Sequence, residues 1–271
     1  MMLLDLVCFD CLMEQVNKGV PTSNGGEPIQ TPYEEVNNSG IYTVNCGKGH
    51  TSKAVIENIN FEILFEYGLN AIVDGYYREA VSSLTASMER YFEFFIKVVL
   101  RASKMDFATI DKVWKSVSNQ SERQLGAYIF LYSQTFGEEP LLLNANKDVP
   151  VRNGVIHKGN ISSKKEAIDF GNTLLTLIET SLIKLKNKFP ETTVETFNYY
   201  SYPRTAKESL TKIEKESGEE QNYVVVNIMT TIDVMHGREL TSKDGRAGGV
   251  EERIKSILDG RVPKKLTLFN D

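Results

Sequence analysis

Residues 77–101 read YREAVSSLTASMERYFEFFIKVVLR. Tyr77, Val81, Leu84, Met88, Tyr91, Phe92, Phe95 and Val99 recur every three or four positions. At about 100° per residue they share one face of a long helix. Arg78, Glu89, Arg90, Glu93, Lys97 and Arg101 fall on the other face, where Glu93 and Lys97 make an i, i+4 pair worth ~0.3 kcal/mol. The simplest expectation for this charged face is solvent. The alternative is that Glu89 or Arg90 reaches into a cleft. Gly75-Tyr76-Tyr77 reads as the turn of a helical hairpin that runs from Ile56 to Arg101.

The pattern continues on the C-terminal side. Ser121-Glu-Arg-Gln124 opens a further helix with a capping-box spelling, followed by Leu125, Tyr128, Ile129 and Tyr132. Ser163-Lys-Lys-Glu166 repeats the spelling ahead of Leu174, Leu175, Ile178, Leu182 and Leu185, and Pro190 stops that helix. Residues 53–190 are therefore expected to form a helical domain. Residues 1–52 read differently. An apolar strand-like run ends at Val7 and Cys8, a Gly/Pro/Asn/Ser/Thr-rich loop fills Asn17 to Gly40, and Gly40 to Val44 is β-prone. Residues 191–271 are a mixed extension: Tyr223 to Ile228 suits a strand or a buried helix, and Gly248-Gly249 precedes a short helix carrying Val250, Ile254, Ile257 and Leu258. No repeat or motif gives this tail a role.

Between the two long helices lies Arg152-Asn153-Gly154-Val155-Ile156-His157. Pro150 before it and Gly159 after it suit a short helix with a Pro start and a Gly stop. Asn153 and His157 share a face at i, i+4, with Arg152 beside them. A permanent cation, an amide and a side chain of the type that titrates near neutral pH thus converge within two turns. Such a set can hold a phosphate and move a proton next to it. Gly154 loosens the helix by up to ~1 kcal/mol relative to Ala, which fits either a packing contact at a dimer seam or a short helix.

The Arg-x4-His spacing, with Asn after the Arg, an upstream helical hairpin and a second long helix downstream, resembles HEPN domains, the helical domains of many prokaryotic ribonuclease toxins and defence proteins. The likeness spans roughly residues 53–190. It implies a mainly α fold: a HEPN-like bundle preceded by a small β module and followed by the mixed extension. It also implies an endoribonuclease that uses no metal for catalysis. Arg152, Asn153 and His157 of two protomers would meet across a two-fold axis, which gives a composite site at no cost in extra sequence. One histidine takes the ribose 2′-OH proton, the other protonates the leaving 5′ oxygen, and the guanidinium holds the phosphorane charge. The products would be a 2′,3′-cyclic phosphate and a 5′-hydroxyl. The family setting would be a toxin or antiphage defence system, with an antitoxin or sensor as partner. Some HEPN domains keep the shape and lose catalysis. A lone His near a helix end is also often a surface or capping residue.

The cysteines number three, all within the first 46 residues. An odd count at one end is a poor disulfide framework. Cys8-Phe-Asp-Cys11 and Cys46-Gly-Lys-Gly-His50 instead supply four ligands for a tetrahedral metal, and Val44 to His50 resembles the second knuckle of a zinc ribbon. The first 52 residues are accordingly read as a zinc-ribbon-like module with a structural zinc on Cys8, Cys11, Cys46 and His50. The competing reading is three small buried hydrophobes. A folded unit of about 50 residues is hard to stabilise without such a staple.

The net charge of −5 argues against a protein that coats nucleic acid by bulk charge. A local basic cleft is still open to it: Lys158, Lys164 and Lys165 follow Arg152 with no acid between Asp148 and Glu166, and are the candidate RNA contacts. No stretch approaches the ~20 apolar residues of a membrane span. Met1 to Phe9 is too short, and too acidic at Asp5, for a targeting segment, so a cytoplasmic protein is expected. His236 reads as a helix-end residue. Gly47-Lys48-Gly49-His50-Thr51-Ser52 lacks phosphate-loop spacing. Two further readings stand beside the ribonuclease: a catalytically silent zinc and helical dimer that binds nucleic acid or protein, and a subunit held off until a partner triggers it.

Overall fold

The computed structural model describes residues 2–4, 6, 8–19, 34–218, 222–228, 230–235 and 249–261. His236, Gly248, Val7 and most of the Asn17–Gly40 stretch lie outside them. The described chain is mainly helical with a small three-stranded sheet. It divides into two compact units: Phe61–Thr193 with Thr230–Asp271, and Met2–Asn60 with Val194–Met229.

The smaller unit is built on a sheet. Strands β1 (Leu3–Leu4) and β2 (Glu34–Glu35) form a separate antiparallel pair, with helix α1 (Phe9–Asn17) between them in sequence. Strands β3 (Ile41–Asn45) and β4 (Thr51–Ile56) form an antiparallel hairpin. On its other edge β4 pairs in parallel with β5 (Tyr223–Val226). The sequence left 223–228 open between strand and buried helix. It is a strand because a short β-branched run finds an edge to pair with. The same pairing corrects the start of the helical hairpin: Lys53 to Ile56 is a strand flanked on both sides, so the helices begin later, at Asn60.

Asn58, fully buried, extends the pairing with its side chain. Its Nδ2 donates to the Ile228 carbonyl at 3.0 Å, and its Oδ1 accepts from the Ile228 N–H at 2.9 Å. Helix α9 (Tyr202–Ser217) lays Ala206 and Leu210 on Val55, with Ile41 and Tyr223 completing the cluster. Gly40 has φ +64°, and a Cβ there would sit 2.6 Å from the Tyr202 ring, so this turn needs glycine twice over.

The larger unit is a helical bundle. Helices α2 (Asn60–Val73) and α3 (Tyr77–Ala102) form the expected hairpin, turning at Gly75 with φ +83°. Gly68 lets them close: a Cβ would meet Leu84 Cγ at 2.6 Å. Helix α3 then packs against α4 (Phe107–Trp114), α5 (Ser121–Phe136), α6 (Asp148–Lys158) and α7 (Lys164–Lys188). This encirclement is why its charged face is only partly solvated. Lys97 is buried, pairs with Glu93 at 2.6 Å and lies over the Trp114 ring. The apolar face builds an aromatic core in which Tyr128 stacks on Phe92 at 4.2 Å and meets Phe95 edge-on at 5.0 Å. Ser163 and Glu166 form both bonds of the expected capping box. Ser121 does not cap: α5 starts with Gln120 as its N-cap and the Ser121 hydroxyl turns elsewhere. Pro190 does end α7, and opens α8 (Pro190–Tyr200), within which the two units divide.

Two buried acids on α2 hold the C-terminal part of this unit. Glu62 accepts from the Val234 N–H at 2.7 Å. Glu66 accepts from both the N–H and the hydroxyl of Thr231, and its second oxygen pairs with Arg253 of α10 (Val250–Arg261) at 3.2 Å. Removing the carboxylate takes this acceptor from an enclosed guanidinium and from two Thr231 donors. Glu66→Ala is expected to cost about 3–5 kcal/mol, read by urea unfolding. A loss under about 1 kcal/mol would mean that water replaces this carboxylate freely.

Candidate functional site

The metal candidate is a short-range product of one turn and one helix end. Cys8 is the N-cap residue of α1 and Cys11 lies in its first turn. This arm is helical, where a zinc ribbon would have a β knuckle. The other arm is a tight turn between β3 and β4, closed by Cys46 N–H to the His50 carbonyl and Gly49 N–H to the Cys46 carbonyl. The two arms bring Cys8, Cys11, Cys46 and His50 together with all ligand atoms within 4.8 Å of one another. Cys11 Sγ is 3.6 Å from Cys46 Sγ and 3.4 Å from His50 Nδ1. Ligands bound at zinc distances around one tetrahedral centre stand roughly 3.3–3.8 Å apart. The buried cluster could therefore hold a metal ion such as zinc.

Burial pushes the Cys11 thiol up to about 12, helped by its hydrogen bonds to Cys46 and Cys8. Burial also acts upward on Cys46. It is outweighed by backbone hydrogen bonds at His50 and Lys48 and by the neighbouring thiols, which bring Cys46 down to about 7. At neutral pH the metal-free cluster thus keeps a proton on Cys11 and shares negative charge at Cys46. The ring of His50 aims Nδ1 at the thiols and Nε2 at Glu14 Oε1, 3.6 Å away, while Lys48 holds the other oxygen of Glu14 at 3.0 Å. A carboxylate behind a ligating imidazole fixes its tautomer and raises its basicity. Glu14→Gln is expected to weaken zinc binding by about 10- to 100-fold in a competition titration with a chromogenic chelator. An unchanged affinity would make the Glu14 contact a surface ion pair only.

The second candidate belongs to the helical unit. Helix α6 begins at Asp148, two residues before Pro150. Buried Asp148 accepts from Asn144 N–H at 3.0 Å and from the Thr173 hydroxyl at 3.4 Å, which pins the helix start. Its end is capped by Gly159 at φ +72°, as expected. Gly154 makes room for Asn160: a Cβ would lie 2.7 Å from Asn160 Nδ2, and the Asn160 N–H donates to the Gly154 carbonyl at 3.0 Å. The glycine is thus occupied within the chain.

Arg152 is fixed in three directions. Nη1 donates to Asn153 Oδ1 at 3.0 Å, and Nη2 donates to Glu89 Oε1 at 2.9 Å and to Ser121 Oγ at 3.3 Å. Its side chain is 15% exposed. Next to it Arg90 bonds Gln124 at 3.1 Å, and Gln124 donates to the Ser118 carbonyl at 2.7 Å. Arg152, Asn153 and His157 line one cavity of about 450 Å³ together with Glu89, Ser121 and Glu122. The His157 ring is exposed and makes no hydrogen bond to another described residue. An arginine clamped in a cavity wall can bind an oxyanion, and an open imidazole lining the same cavity can exchange a proton with whatever that oxyanion carries.

The sequence candidates divide as follows. Cys8, Cys11, Cys46 and His50 meet in one cluster, and Arg152, Asn153 and His157 share one cavity. Lys158, Lys164 and Lys165 are exposed and do not line that cavity, and Lys165 is tied to Asp169 at 2.7 Å. Sequence reasoning passed over Ser121, taken as a cap, and Glu122. It weighed Glu89 mainly as a solvated charge. The available signal was Glu89 lying one position from Met88 on a helix too crowded by neighbours to keep a wet face. Comparison with family models, curated proteins and solved structures finds no match for this chain. No helix among the described residues is long and apolar enough to cross a membrane.

Proposed function

We propose that this chain is a HEPN-type endoribonuclease that cuts RNA by 2′-OH attack, with a zinc-stapled smaller unit. The observation that carries the reading is the clamped Arg152 at a cavity shared with His157 and Asn153. In the reaction the ribose 2′ oxygen forms a bond to the adjacent phosphorus and gives its proton to His157. The bond from phosphorus to the 5′ oxygen breaks, and that oxygen takes a proton from a second imidazole. Arg152 holds the non-bridging oxygens as charge builds on them. Proton transfer and a fixed cation suffice, so no catalytic metal is called for.

Among the described residues this cavity has one histidine, His157; His50 belongs to the thiol cluster and His236 lies outside the described residues. Following the family resemblance, the second imidazole in this reading is His157 of another copy, in a two-fold dimer. An exposed apolar side chain supports a covered face: Ile156, next to His157, is 38% exposed. Zinc on Cys8, Cys11, Cys46 and His50, with four protein donors, would serve structure and not turnover. Following the family resemblance, a toxin or antiphage effector restrained by an antitoxin or sensor is the setting we infer. The purified chain, with no metal added, is expected to sediment as a dimer and to leave 2′,3′-cyclic phosphate and 5′-hydroxyl ends on RNA. Products with 5′-phosphate ends would rule out 2′-OH attack.

A further inference from the structure

The cavity beside Arg152, at about 450 Å³, falls in the ~300–1,000 Å³ range of small-molecule pockets and exceeds what one phosphate fills. Its lining splits by chemistry. Met88 and Phe92 of α3 are buried apolar lining, and Phe92 is held flat by Tyr128 stacked on it at 4.2 Å. Leu125 and Leu142 add exposed apolar lining. Two carboxylates, Glu89 and Glu122, stand among these surfaces. Glu89 spends one oxygen on Arg152. Glu122, in the first turn of α5, accepts a long hydrogen bond of 3.4 Å from Ser121 Oγ and is otherwise open to solvent.

We propose that this cavity is a recognition site for an unpaired guanine base of the RNA, with Glu122 as the reader. This deepens the ribonuclease reading and rests on it for the identity of the polymer. Apolar lining from Met88, Phe92, Leu125 and Leu142 suits an unstacked base. An ionised carboxylate only accepts, so it selects a ligand edge that carries adjacent donors. Guanine presents N1–H and its 2-amino group side by side, which matches both oxygens of one carboxylate. Adenine and cytosine set their amino group beside a ring acceptor that the carboxylate repels. Uracil places its single N–H between two carbonyls. Because the edge read is the one used in base pairing, the guanine must be out of a duplex. Its ribose then lies toward Arg152 and His157, so the 2′-OH that attacks belongs to the recognised guanosine.

The test uses the full-length His157→Ala chain, which binds without cutting, titrated with the 3′-monophosphates of guanosine, adenosine, cytidine and uridine. Guanosine is expected to bind about 10- to 100-fold more tightly than the others, the worth of a charge-assisted bidentate pair. Adding Glu122→Gln is expected to bring the four within about threefold while leaving uridine binding unchanged. Equal affinities in the His157→Ala chain, preference for another base, or a guanosine preference that survives Glu122→Gln would overturn the proposal. Mapping the cuts of the wild-type chain separates the two levels. Cleavage after all four bases alike defeats the guanine site and leaves the ribonuclease intact. Guanosine-selective binding with no cleavage upholds the site and defeats the ribonuclease.

Discussion

Cys11→Ser is expected to empty the metal site and unfold the smaller unit. Cys11 is the hub of the cluster, 3.6 Å from Cys46 Sγ and 3.4 Å from His50 Nδ1, and 2% exposed. It ties α1 to the β3–β4 hairpin, alongside Phe9 N–H to Ser52 Oγ at 3.0 Å, Ser52 Oγ to Cys8 Sγ at 3.5 Å, and Glu14 to Lys48 at 3.0 Å and to His50 at 3.6 Å. Structural zinc contributes about 10–16 kcal/mol of apparent binding energy in small fingers, and that energy is folding energy. Loss of one thiolate ligand should therefore exceed any single packing change in this unit. Metal analysis is expected to fall from one zinc per chain to under about a tenth of that, and calorimetry to lose the unit's transition. Zinc binding should also tighten with pH. Cys11 keeps its proton up to about 12 without metal, so the ion must displace it throughout the neutral range, and acid favours the protonated thiol. A Cys11→Ser chain that melts like wild type would mean that the thiols serve only as small buried hydrophobes.

Arg152→Ala is expected to lower RNA cleavage by about 10²- to 10³-fold, the usual effect of deleting one group that stabilises transition-state charge. Arg152→Lys should do nearly as badly. The guanidinium is held by Asn153, Glu89 and Ser121 at once, and a single ammonium cannot span all three while facing a phosphate. The lysine variant separates charge from geometry: it keeps the cation and loses the fork. Circular dichroism should stay close to wild type for both, since Arg152 lines a cavity and is not part of the aromatic core. Full activity in Arg152→Lys would reduce the side chain to a point charge.

Much of this architecture was readable because it is periodic. The apolar stripe from Tyr77 to Val99 fixed α3 and its partners, and the Ser163/Glu166 box and Pro190 marked the bounds of α7. The Cys-x2-Cys and Cys-x3-His pair also predicted its own assembly, since ligand types and short spacings are local. What escaped was long-range. Nothing near Tyr223 announces that it will pair with Lys53, so β5 was undecided until β4 offered an open edge. The helical setting of Cys8 and Cys11 was hidden by reading an apolar run as strand. Ser121 spells a cap and serves as an arginine acceptor instead, because the guanidinium 31 residues away competes for its hydroxyl. Glu89 looked wet on a helical wheel, yet α3 is covered on several sides and the acid faces a cation from α6.

The central claim is that Arg152, Asn153 and His157 cut RNA. The most direct measurement is incubation of end-labelled single-stranded RNA with the purified full-length chain, without added metal, beside His157→Ala. The account predicts that wild type alone consumes the RNA and leaves cyclic phosphate ends, while His157→Ala keeps its fold and dimer and leaves the RNA whole. Intact RNA with both proteins, each folded and dimeric, or equal cutting by both, would contradict it.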